Sequence, residues 1–392
     1  MCSRSYPSVL RGMRSPAVSA RLAITAMLLC LLAAVPASAR SAARWSVQTV
    51  PHGIASLGPI ACPSTSTCYA TARTTSHRLA VIATTNGGKG WATQLLPKAA
   101  ASAREAVIAC FSRHECMVAG GVGPQDGEIV MVNYGLLWRT TNSGHTWSSP
   151  RLPANTPELT SISCPTVSTC YTIGRYTQLA PVGLYVTTVM LVTRDGGASW
   201  SRKLITNRSS TLPVIISCPT SMLCRTLTLS GRDGYPAETL SSSDGGATWQ
   251  ATSLPARFPT LDAATLSLDC ATTRVCTASG GSYGRFAMTT DGGAHWTLRA
   301  VSNVFIEALS CPSTSTCWVA GVPWSWEQNL ERPPAKPTRF VAARGNTTGT
   351  RWQVTTLPGP SVRLPGNVSI ACPASSTCWV ASSQPATLYA LR

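Results

Sequence analysis

Apolar residues along this chain come in short bursts separated by Ser, Thr, Gly and Pro. The bursts are rich in β-branched and aromatic residues, as in Val214–Ile216 and Tyr171–Ile173, which is typical of β-strands. No segment keeps a helical period over three turns, and after the first forty residues no apolar run approaches the roughly 18 residues of a membrane span. The pattern predicts an all-β chain with no integral membrane segment in its mature part.

Fourteen of the sixteen cysteines form seven pairs with identical spacing, always with five residues between the partners. In five pairs the first cysteine is followed by Pro and small polar residues, a composition typical of turns, and strand-like segments flank the pairs. Each pair therefore predicts a disulfide that closes a β-hairpin. The pairs are Cys62 with Cys68, Cys110 with Cys116, Cys164 with Cys170, Cys218 with Cys224, Cys270 with Cys276, Cys311 with Cys317, and Cys372 with Cys378.

Metal binding and redox catalysis are the alternatives for paired cysteines. Zinc sites favour two to four residues between ligands and thioredoxin-like sites need two, whereas the gap here is always five and no histidine accompanies it. Structural disulfides persist in oxidising compartments, and an exported chain reaches one. We therefore predict seven structural disulfides, no metal site and no cofactor.

A second repeat of the form [ST]-x-[DN]-x-G-x-x-W lies between consecutive cysteine pairs. A short carboxylate or amide at the third position can accept hydrogen bonds from the N–H groups of its own turn, Gly supplies positive φ, and Trp packs beneath the turn. Calcium is the alternative, but each segment offers at most one carboxylate and calcium takes six to eight oxygens. The sixth copy has Thr347 at the acidic position. The third-position residues are Asn86, Asn142, Asp195, Asp244 and Asp291, and the tryptophans are Trp91, Trp147, Trp200, Trp249, Trp296 and Trp352.

These segments resemble the Asp-box, also called the BNR repeat, of sialidases, sortilin-type receptors and photosystem II stability/assembly factors. The resemblance implies a propeller of the sialidase-superfamily fold over nearly the whole mature chain. It is strongest to the photosystem II stability/assembly factor-like group, whose propellers act as binding scaffolds without known chemistry. The shared motifs are structural, so the resemblance transfers no binding residue.

Each repeat predicts four strands: one before the first cysteine, one after the second, one leading into the box and one beginning at its Trp. Four strands in about fifty residues is the period of a propeller blade. The last cysteine pair is followed by only one further strand, 386–391, and the segment 44–51 has a fourth-strand pattern with no blade of its own. We predict a seven-bladed β-propeller with four-stranded antiparallel blades, one hairpin disulfide per blade, and a ring closed by the N-terminal strand.

The N-terminus predicts export. Four arginines precede an apolar stretch at 22–35, and Pro36 and a small-residue run follow it, which is the pattern of a signal peptide cleaved after Ala39. We expect residues 1–39 to be this signal and residues 40–392 to form a single propeller domain. The mature protein is then secreted, extracellular or associated with a bacterial cell envelope.

Binding residues are expected on the face that holds the loops between second and third strands and between blades. The segments 120–128, 175–185, 232–235 and 321–339 are irregular there, and long loops on a rigid scaffold are suited to binding. Paired tryptophans with nearby charges suit a sugar ring or a peptide, although they could equally cover the apolar edge of their own blade. The candidate binding residues are Trp324, Trp326, Glu327, Arg332, Tyr176, Tyr185 and Tyr235.

The net positive charge of the chain favours some classes of binding partner over others. The formal charge of +17 falls to +13 without the signal segment, which has four arginines and no acidic residue. Such an excess favours anionic surfaces, and nucleic acid is not expected because the arginines are scattered and the chain is exported. We predict a monomer that binds an envelope or extracellular protein, or an anionic polysaccharide.

A glycoside hydrolase of sialidase type is the alternative function. Sialidases place three arginines, a Tyr/Glu pair and an aspartate around the substrate and have an Arg-Ile-Pro motif, which is absent here. Three of the seven aspartates lie in boxes, and no two carboxylates stand out by spacing as a hydrolytic pair. The five histidines form no metal or triad pattern. No catalytic residue is therefore predicted, and a non-enzymatic binding or scaffold function is favoured.

Overall fold

The computed structural model describes residues 43–97, 103, 106–122, 134–180, 183–205, 211–230, 237–258, 266–280, 284–323, 337–346, 351–362 and 367–392, and of residues 176–180, 183–187, 211–213, 229 and 230 the backbone alone. All regular elements in these ranges are β-strands, as predicted. None of these residues belongs to a helix that is long and apolar enough to cross a membrane. The signal segment lies outside the described residues.

Seven antiparallel sheets contain the 27 strands of the described ranges, and each sheet is one blade. In chain order the strands are β1 (Trp45–Gln48); blade 1, β2 (Ile54–Ala61), β3 (Cys68–Thr74), β4 (Leu79–Thr84), β5 (Ala92–Leu95); blade 2, β6 (Val107–Cys110), β7 (Cys116–Val122), β8 (Tyr134–Thr140); blade 3, β9 (Leu159–Ser163), β10 (Cys170–Ala180), β11 (Gly183–Thr193), β12 (Ser201–Leu204); blade 4, β13 (Thr211–Ser217), β14 (Cys224–Ser230), β15 (Glu238–Ser242), β16 (Gln250–Ser253); blade 5, β17 (Leu266–Cys270), β18 (Cys276–Gly280), β19 (Arg285–Thr289), β20 (Thr297–Ala300); blade 6, β21 (Val304–Ser313), β22 (Thr316–Pro323), β23 (Val341–Asn346), β24 (Trp352–Thr356); and blade 7, β25 (Val368–Ala374), β26 (Thr377–Ser382), β27 (Thr387–Leu391).

The blades close into a ring. The first strand of each blade contacts the first strand of the next, and β25 returns to β2, so these seven strands surround a central channel. The N-terminal strand β1 completes blade 7 by pairing with β27, with Trp45 opposite Leu391 and Gln48 opposite Leu388. The predicted closure by the N-terminal strand is therefore confirmed, and it covers the β27 edge that would otherwise be exposed.

Burial explains why neighbouring blades pack together. The middle strands are apolar on both faces, as in β4, where all six residues are buried, whereas the outer strand β5 is largely exposed. A strand buried on both faces needs a covering layer on each side. Among the described residues the buried side chains form seven apolar clusters, one between each pair of neighbouring blades. We call the apolar contact layer between two neighbouring blades a seam. The hydrophobic core is thus distributed over seven seams.

Blade 2 departs from the predicted pattern because its fourth strand is reduced to one bridge. Arg139 and Ser148 exchange two backbone hydrogen bonds of 2.8 Å. Hydrogen-bonded pairs alternate along an antiparallel ladder, so the next such pair would join Leu137 to Pro150, which has no N–H. The Ser149 hydroxyl donates to the Leu137 carbonyl instead, at 3.1 Å. Proline therefore ends this strand after its first pair.

The segment 175–185 was predicted to be irregular, and that prediction was wrong. Strands β10 and β11 pair in continuous register, from Cys170 with Thr193 to Ala180 with Gly183, and form a hairpin of two eleven-residue strands. The segment is rich in Thr, Tyr, Leu and Val, which favour strands, and the antiparallel partner supplies the hydrogen bonds that the extended chain needs.

Replacing Pro150 with Gln should extend the fourth strand of blade 2. Gln supplies the missing N–H to the Leu137 carbonyl, so the free energy of unfolding should rise by about 1 kcal/mol. Urea denaturation measures the change, and protection of the new amide at position 150 from hydrogen exchange locates it.

The matched control is Thr355→Pro in blade 6, the equivalent position three residues after the box tryptophan. Thr355 pairs with Ala342, and the next pair in the ladder, Leu357 to Phe340, is hydrogen-bonded at 2.8 Å. This substitution removes a ladder donor and should lower stability by about 1 kcal/mol or more. Equal effects of the two substitutions would contradict the proline explanation.

Candidate functional site

All seven predicted disulfides are present, each at the turn between the first two strands of its blade. The predicted pairing of the cysteines is therefore confirmed in every blade. From blade 1 to blade 7 the bridges are Cys62–Cys68, Cys110–Cys116, Cys164–Cys170, Cys218–Cys224, Cys270–Cys276, Cys311–Cys317 and Cys372–Cys378.

We call the tight turns between third and fourth strands, which contain the [ST]-x-[DN]-x-G-x-x-W segments, the box turns. In blades 1 to 5 the N–H of the fourth residue of the box turn donates to a carbonyl of the disulfide loop of the same blade, at 2.7–2.9 Å. The two sets of turns therefore share one side of the ring, which we call the stapled face. The five bonds are Gly87 to Ser66, Ser143 to His114, Gly196 to Ser168, Gly245 to Met222 and Gly292 to Arg274.

The disulfide loops of blades 6 and 7 differ from the prediction in one detail. The second strand was expected to begin after the second cysteine, but here it begins one residue before Cys317 and before Cys378. The residues inside each loop pair with one another across the hairpin, Ser313 with Thr316 and Ala374 with Thr377. Neither blade has an intact box in its sequence.

The polar side chains of the box turns bond within their own turn. Asp244 Oδ1 accepts the Ser242 hydroxyl at 2.8 Å and the N–H groups of Ala247 and Thr248 at 2.8 and 2.9 Å. The Thr248 hydroxyl, and then the Thr248 N–H, hold the pKa of Asp244 well below its usual range. Similar bonds lower the pKa of Asp195 and Asp291. These carboxylates are satisfied locally, which supports a structural role.

The box tryptophans connect neighbouring blades. Each one belongs to, or packs against, the apolar cluster that its blade shares with the preceding blade, as Trp91 does with blade 7 and Trp296 with blade 4. The residue after the second cysteine reaches in the opposite direction. The Tyr69 hydroxyl donates to the Arg113 carbonyl of blade 2 at 2.6 Å, and Tyr171 donates likewise to Ser221 of blade 4. On the stapled face, tryptophan packing and tyrosine hydrogen bonds thus connect neighbouring blades.

Gly88 is a place where this packing demands glycine. Its φ is +77°, and a Cβ atom built there would lie 2.2 Å from the Trp379 ring of blade 7. Gly87 has a similar φ of +69°, but its Cβ would meet nothing closer than 3.8 Å. A substitution at Gly87 would therefore cause backbone strain alone, whereas one at Gly88 would cause backbone strain and steric overlap with Trp379.

We expect Gly88→Ala to destabilise the protein far more than Gly87→Ala. Both substitutions strain the backbone by about 1–2 kcal/mol, and Gly88→Ala adds an overpacking cost of about 1–3 kcal/mol. Chemical denaturation of both variants measures the difference. Equal losses would mean that Trp379 does not press on this turn.

The central channel has a volume of about 1150 Å³ and is lined mainly by the first strands of the blades. Backbone N–H groups on the edge of several first strands point toward the preceding blade. Side chains of the preceding blade accept these N–H groups: Ser163 from Cys218, Ser217 from Cys270 and Ser310 from Cys372, at 3.0–3.3 Å. The channel wall is therefore hydrogen-bonded from blade to blade.

Between blades 5 and 6 and between blades 6 and 7, a carboxylate instead of a serine accepts a backbone N–H of the following blade. Asp269 Oδ2 accepts the Cys311 N–H at 2.6 Å, and Glu307 Oε2 accepts the Val368 N–H at 2.9 Å. Both side chains keep some surface toward the channel, but protein surrounds them on the other sides. Burial raises the pKa of Asp269 to about 6 and that of Glu307 to about 7, although the N–H bonds act in the opposite direction.

The mouth of the channel opposite the stapled face has both signs of charge. Arg73 lies near the end of the second strand β3 and Arg175 in the middle of the long second strand β10, and Glu158 and Glu307 lie at or near the beginnings of first strands. We call this side the loop face. The Arg73 guanidinium donates to the carbonyls of His77 and Ala103. This mixed-charge mouth is the candidate functional site.

The long hairpin of blade 3 extends beyond this mouth on the loop face. Its register places Tyr176 opposite Thr187 and Tyr185 opposite Gln178, so the two predicted tyrosines lie two residues apart along one hairpin. Trp324, Trp326, Glu327, Arg332 and Tyr235 lie outside the described residues.

The sequence prediction missed the channel carboxylates. Asp269 stands where Ser163, Ser217 and Ser310 stand in other blades, immediately before the first cysteine, and Glu307 interrupts the apolar strand β21. An alignment of the repeats against one another could have identified both substitutions. The described residues contain no group of three or more side chains that could hold a metal ion.

Comparisons with known proteins match the fold. No family model and no curated protein matches the chain. A solved structure described as YCF48 bound to D1 peptide is 14% identical, with a TM-score of 0.58, and the match covers 88% of this chain and 94% of that one. YCF48 from Cyanidioschyzon merolae is 13% identical, with a TM-score of 0.56 and coverage of 89% and 98%. The Hadza microbial sialidase Hz136 is 13% identical, with a TM-score of 0.51 and coverage of 82% and 72%. At these identities the likeness shows the propeller fold alone.

The channel carboxylates predict a pH-dependent stability. Their folded pKa values exceed the unfolded ones of about 4, so the folded state binds more protons and stability falls as pH rises from about 4 to about 7. We expect a loss on the order of 5 kcal/mol, measured by urea denaturation at about pH 4.5 and 7.5. The double variant Asp269→Asn with Glu307→Gln keeps both acceptor oxygens and should abolish most of this loss. An unchanged pH slope in that variant would refute the assignment.

Proposed function

We propose that this chain is a secreted, non-enzymatic binding propeller whose loop face recognises an extended segment of an envelope or extracellular protein at the channel mouth. An anionic polysaccharide is the second candidate ligand, because Arg73 and Arg175 contribute positive charge to the mouth. A glycoside hydrolase is the alternative function.

The observation that supports binding over hydrolysis is that both channel carboxylates hydrogen-bond to the backbone of a neighbouring blade. Glycosidases need an acid and a nucleophile or base that are free to meet the scissile bond. Asp269 and Glu307 each already accept a backbone N–H of the next blade, so both are parts of the wall. Of the other described acidic residues, three aspartates bond within box turns and Glu115 lies 3.9 Å from Arg139. Glu158 lies at the channel mouth and also has an interaction partner, and Glu238 is the first residue of β15.

The channel wall also indicates how a ligand would be held. Side chains of the preceding blade already accept many of the inner-strand N–H groups, so a ligand chain is poorly placed to add as a further strand. Recognition would then use the charged side chains of the mouth and the blade 3 hairpin beside it. A neighbour of the same fold is described as bound to a D1 peptide, which supports a protein segment as ligand.

The remaining parts of the proposal concern location and the loop residues. Seven disulfides suit an oxidising compartment outside the cytoplasm, which supports secretion by a signal at residues 1–39. The end of β22 at Pro323 and the beginning of β23 at Val341 lie on the loop face. We propose that Trp324, Trp326, Glu327 and Arg332 contribute to ligand contact there, together with Tyr176, Tyr185 and Tyr235.

The test uses the purified protein against a displayed library of random peptides of about 12 residues, an array of anionic wall polymers and a panel of fluorogenic glycosides. We expect saturable peptide binding without glycoside turnover. Arg175→Glu at the mouth should weaken binding by about tenfold or more, equivalent to about 1.4 kcal/mol. Arg113→Glu, an exposed arginine on the stapled face, is the matched control and should bind as the parent does.

Other outcomes would replace the proposal. Polymer binding that Arg175→Glu abolishes would select the polysaccharide candidate. Glycoside turnover that Asp269→Asn or Glu307→Gln abolishes would establish the hydrolase. Peptide binding lost equally in Arg175→Glu and Arg113→Glu would remove the channel mouth as the site.

A further inference from the structure

Blade 4 has an arginine at a position where no other blade has a charged residue. Arg225 directly follows the second cysteine of its blade, at the residue that reaches across the seam to the next blade. Its equivalents in blades 1, 2, 3, 5, 6 and 7 are Tyr69, Met117, Tyr171, Thr277, Trp318 and Trp379.

The Arg225 guanidinium lies against the disulfide of blade 5. Arg225 is 2% exposed, and its Nη1 is 3.3 Å from Cys276 Sγ and 3.9 Å from Cys270 Sγ. Its Nη2 donates to the carbonyls of Thr273 and Gly292, and its buried Nε has no hydrogen-bond partner. Among the hydrogen bonds of the described residues, a charged donor reaches a disulfide sulfur only at this bridge.

Within the part of the chain that the structure describes, no salt bridge joins this buried cation to a carboxylate. Burial lowers the pKa of Arg225, and only the attraction of Asp291 opposes that effect. Asp291 is exposed and already accepts bonds from Thr289 and His295 in its own turn. A disulfide is neutral, whereas a cysteine thiolate in the same place would give the guanidinium an adjacent negative charge. A cation beside a cysteine lowers the pKa of its thiol and makes the thiolate a better leaving group.

We propose that the Cys270–Cys276 bridge is a thiol-exchange site, the one of the seven bridges that an external dithiol reduces first. An external thiolate attacks Cys270 Sγ, a new S–S bond forms to the attacking sulfur, and the Cys270–Cys276 bond breaks. Its electron pair leaves on Cys276 as a thiolate beside Arg225. The second thiol of the dithiol then loses its proton to solvent, attacks the mixed disulfide and releases Cys270 as a thiolate. The dithiol loses two electrons and the bridge gains two.

The direction of attack follows from exposure. Cys276 is fully buried against Arg225, whereas Cys270 is half-buried at the end of β17. Breaking this bridge frees a loop that accepts both the Arg225 guanidinium, at Thr273, and the Gly292 N–H, at Arg274. The exchange would therefore act on the seam between blades 4 and 5, and it is independent of the channel mouth.

The test is a redox titration of the folded protein in buffers of reduced and oxidised dithiothreitol. After equilibration, acid quenching and alkylation, mass spectrometry reports the reduced fraction of each bridge, so six bridges serve as internal standards. We expect Cys270–Cys276 to reach half-reduction at a ratio of reduced to oxidised dithiothreitol about tenfold or more below that of the other bridges. A midpoint equal to theirs would refute the proposal.

Substitutions separate the charge from other features of this loop. Arg225→Met, which copies the blade 2 residue, should bring the bridge to the level of the other six. Arg274→Met removes an exposed charge from the same loop and should leave the order of reduction of the seven bridges unchanged.

The reverse substitution adds a cation to another seam. Met117→Arg places an arginine beside the disulfide of blade 3, Cys164–Cys170, across the seam that Met117 faces, and should make that bridge labile as well. This gain does not depend on how well Arg225→Met folds. Failure of Met117→Arg to change the order of reduction would overturn the assignment of lability to the cation.

Discussion

The structure depends on one constraint, the need to cover middle strands that are apolar on both faces. A four-stranded blade cannot bury such strands alone, so each blade needs a neighbour on either side. Seven apolar clusters between blades satisfy that need, and closure by β1 leaves no blade without a partner. The disulfides, box turns and box tryptophans all lie at or beside these seams, because there a local turn can fix the position of an adjacent blade.

The same geometry divides the molecule into two sides with different properties. On the stapled face the backbone and carboxylate groups of the turns bond to one another, and the Arg225 guanidinium bonds within the seam between blades 4 and 5. The channel wall is bonded between blades through serines and two carboxylates, but its mouth on the loop face brings Arg73, Glu158, Arg175 and Glu307 to the border of an open cavity. The ring thus has one structural face, and the opposite mouth is where we propose that recognition takes place.

Sequence reasoning was reliable where the chemistry is local and repeated. The pairing of Cys62 with Cys68, and of its six counterparts, follows from spacing and turn composition. Reasoning failed where one residue changes the outcome. Pro150 removes a ladder donor that a pattern of apolar and polar residues does not reveal, and the partner strand β11 made a regular hairpin of a segment that looked irregular. The channel carboxylates were missed because Asp269 and Glu307 stand out only when the repeats are aligned with one another, and they come to one wall only in the closed ring.

The sequence by itself determined the number of blades, the bridges, the turns and the closing strand, because each is specified within one repeat of about fifty residues. Only the tertiary structure decided which side chains meet across the seams. Arg225 contacts a disulfide of the next blade, and Asp269 accepts an N–H from the blade after its own. Such contacts depend on how one blade is rotated against another, and that rotation is set by packing of the whole ring.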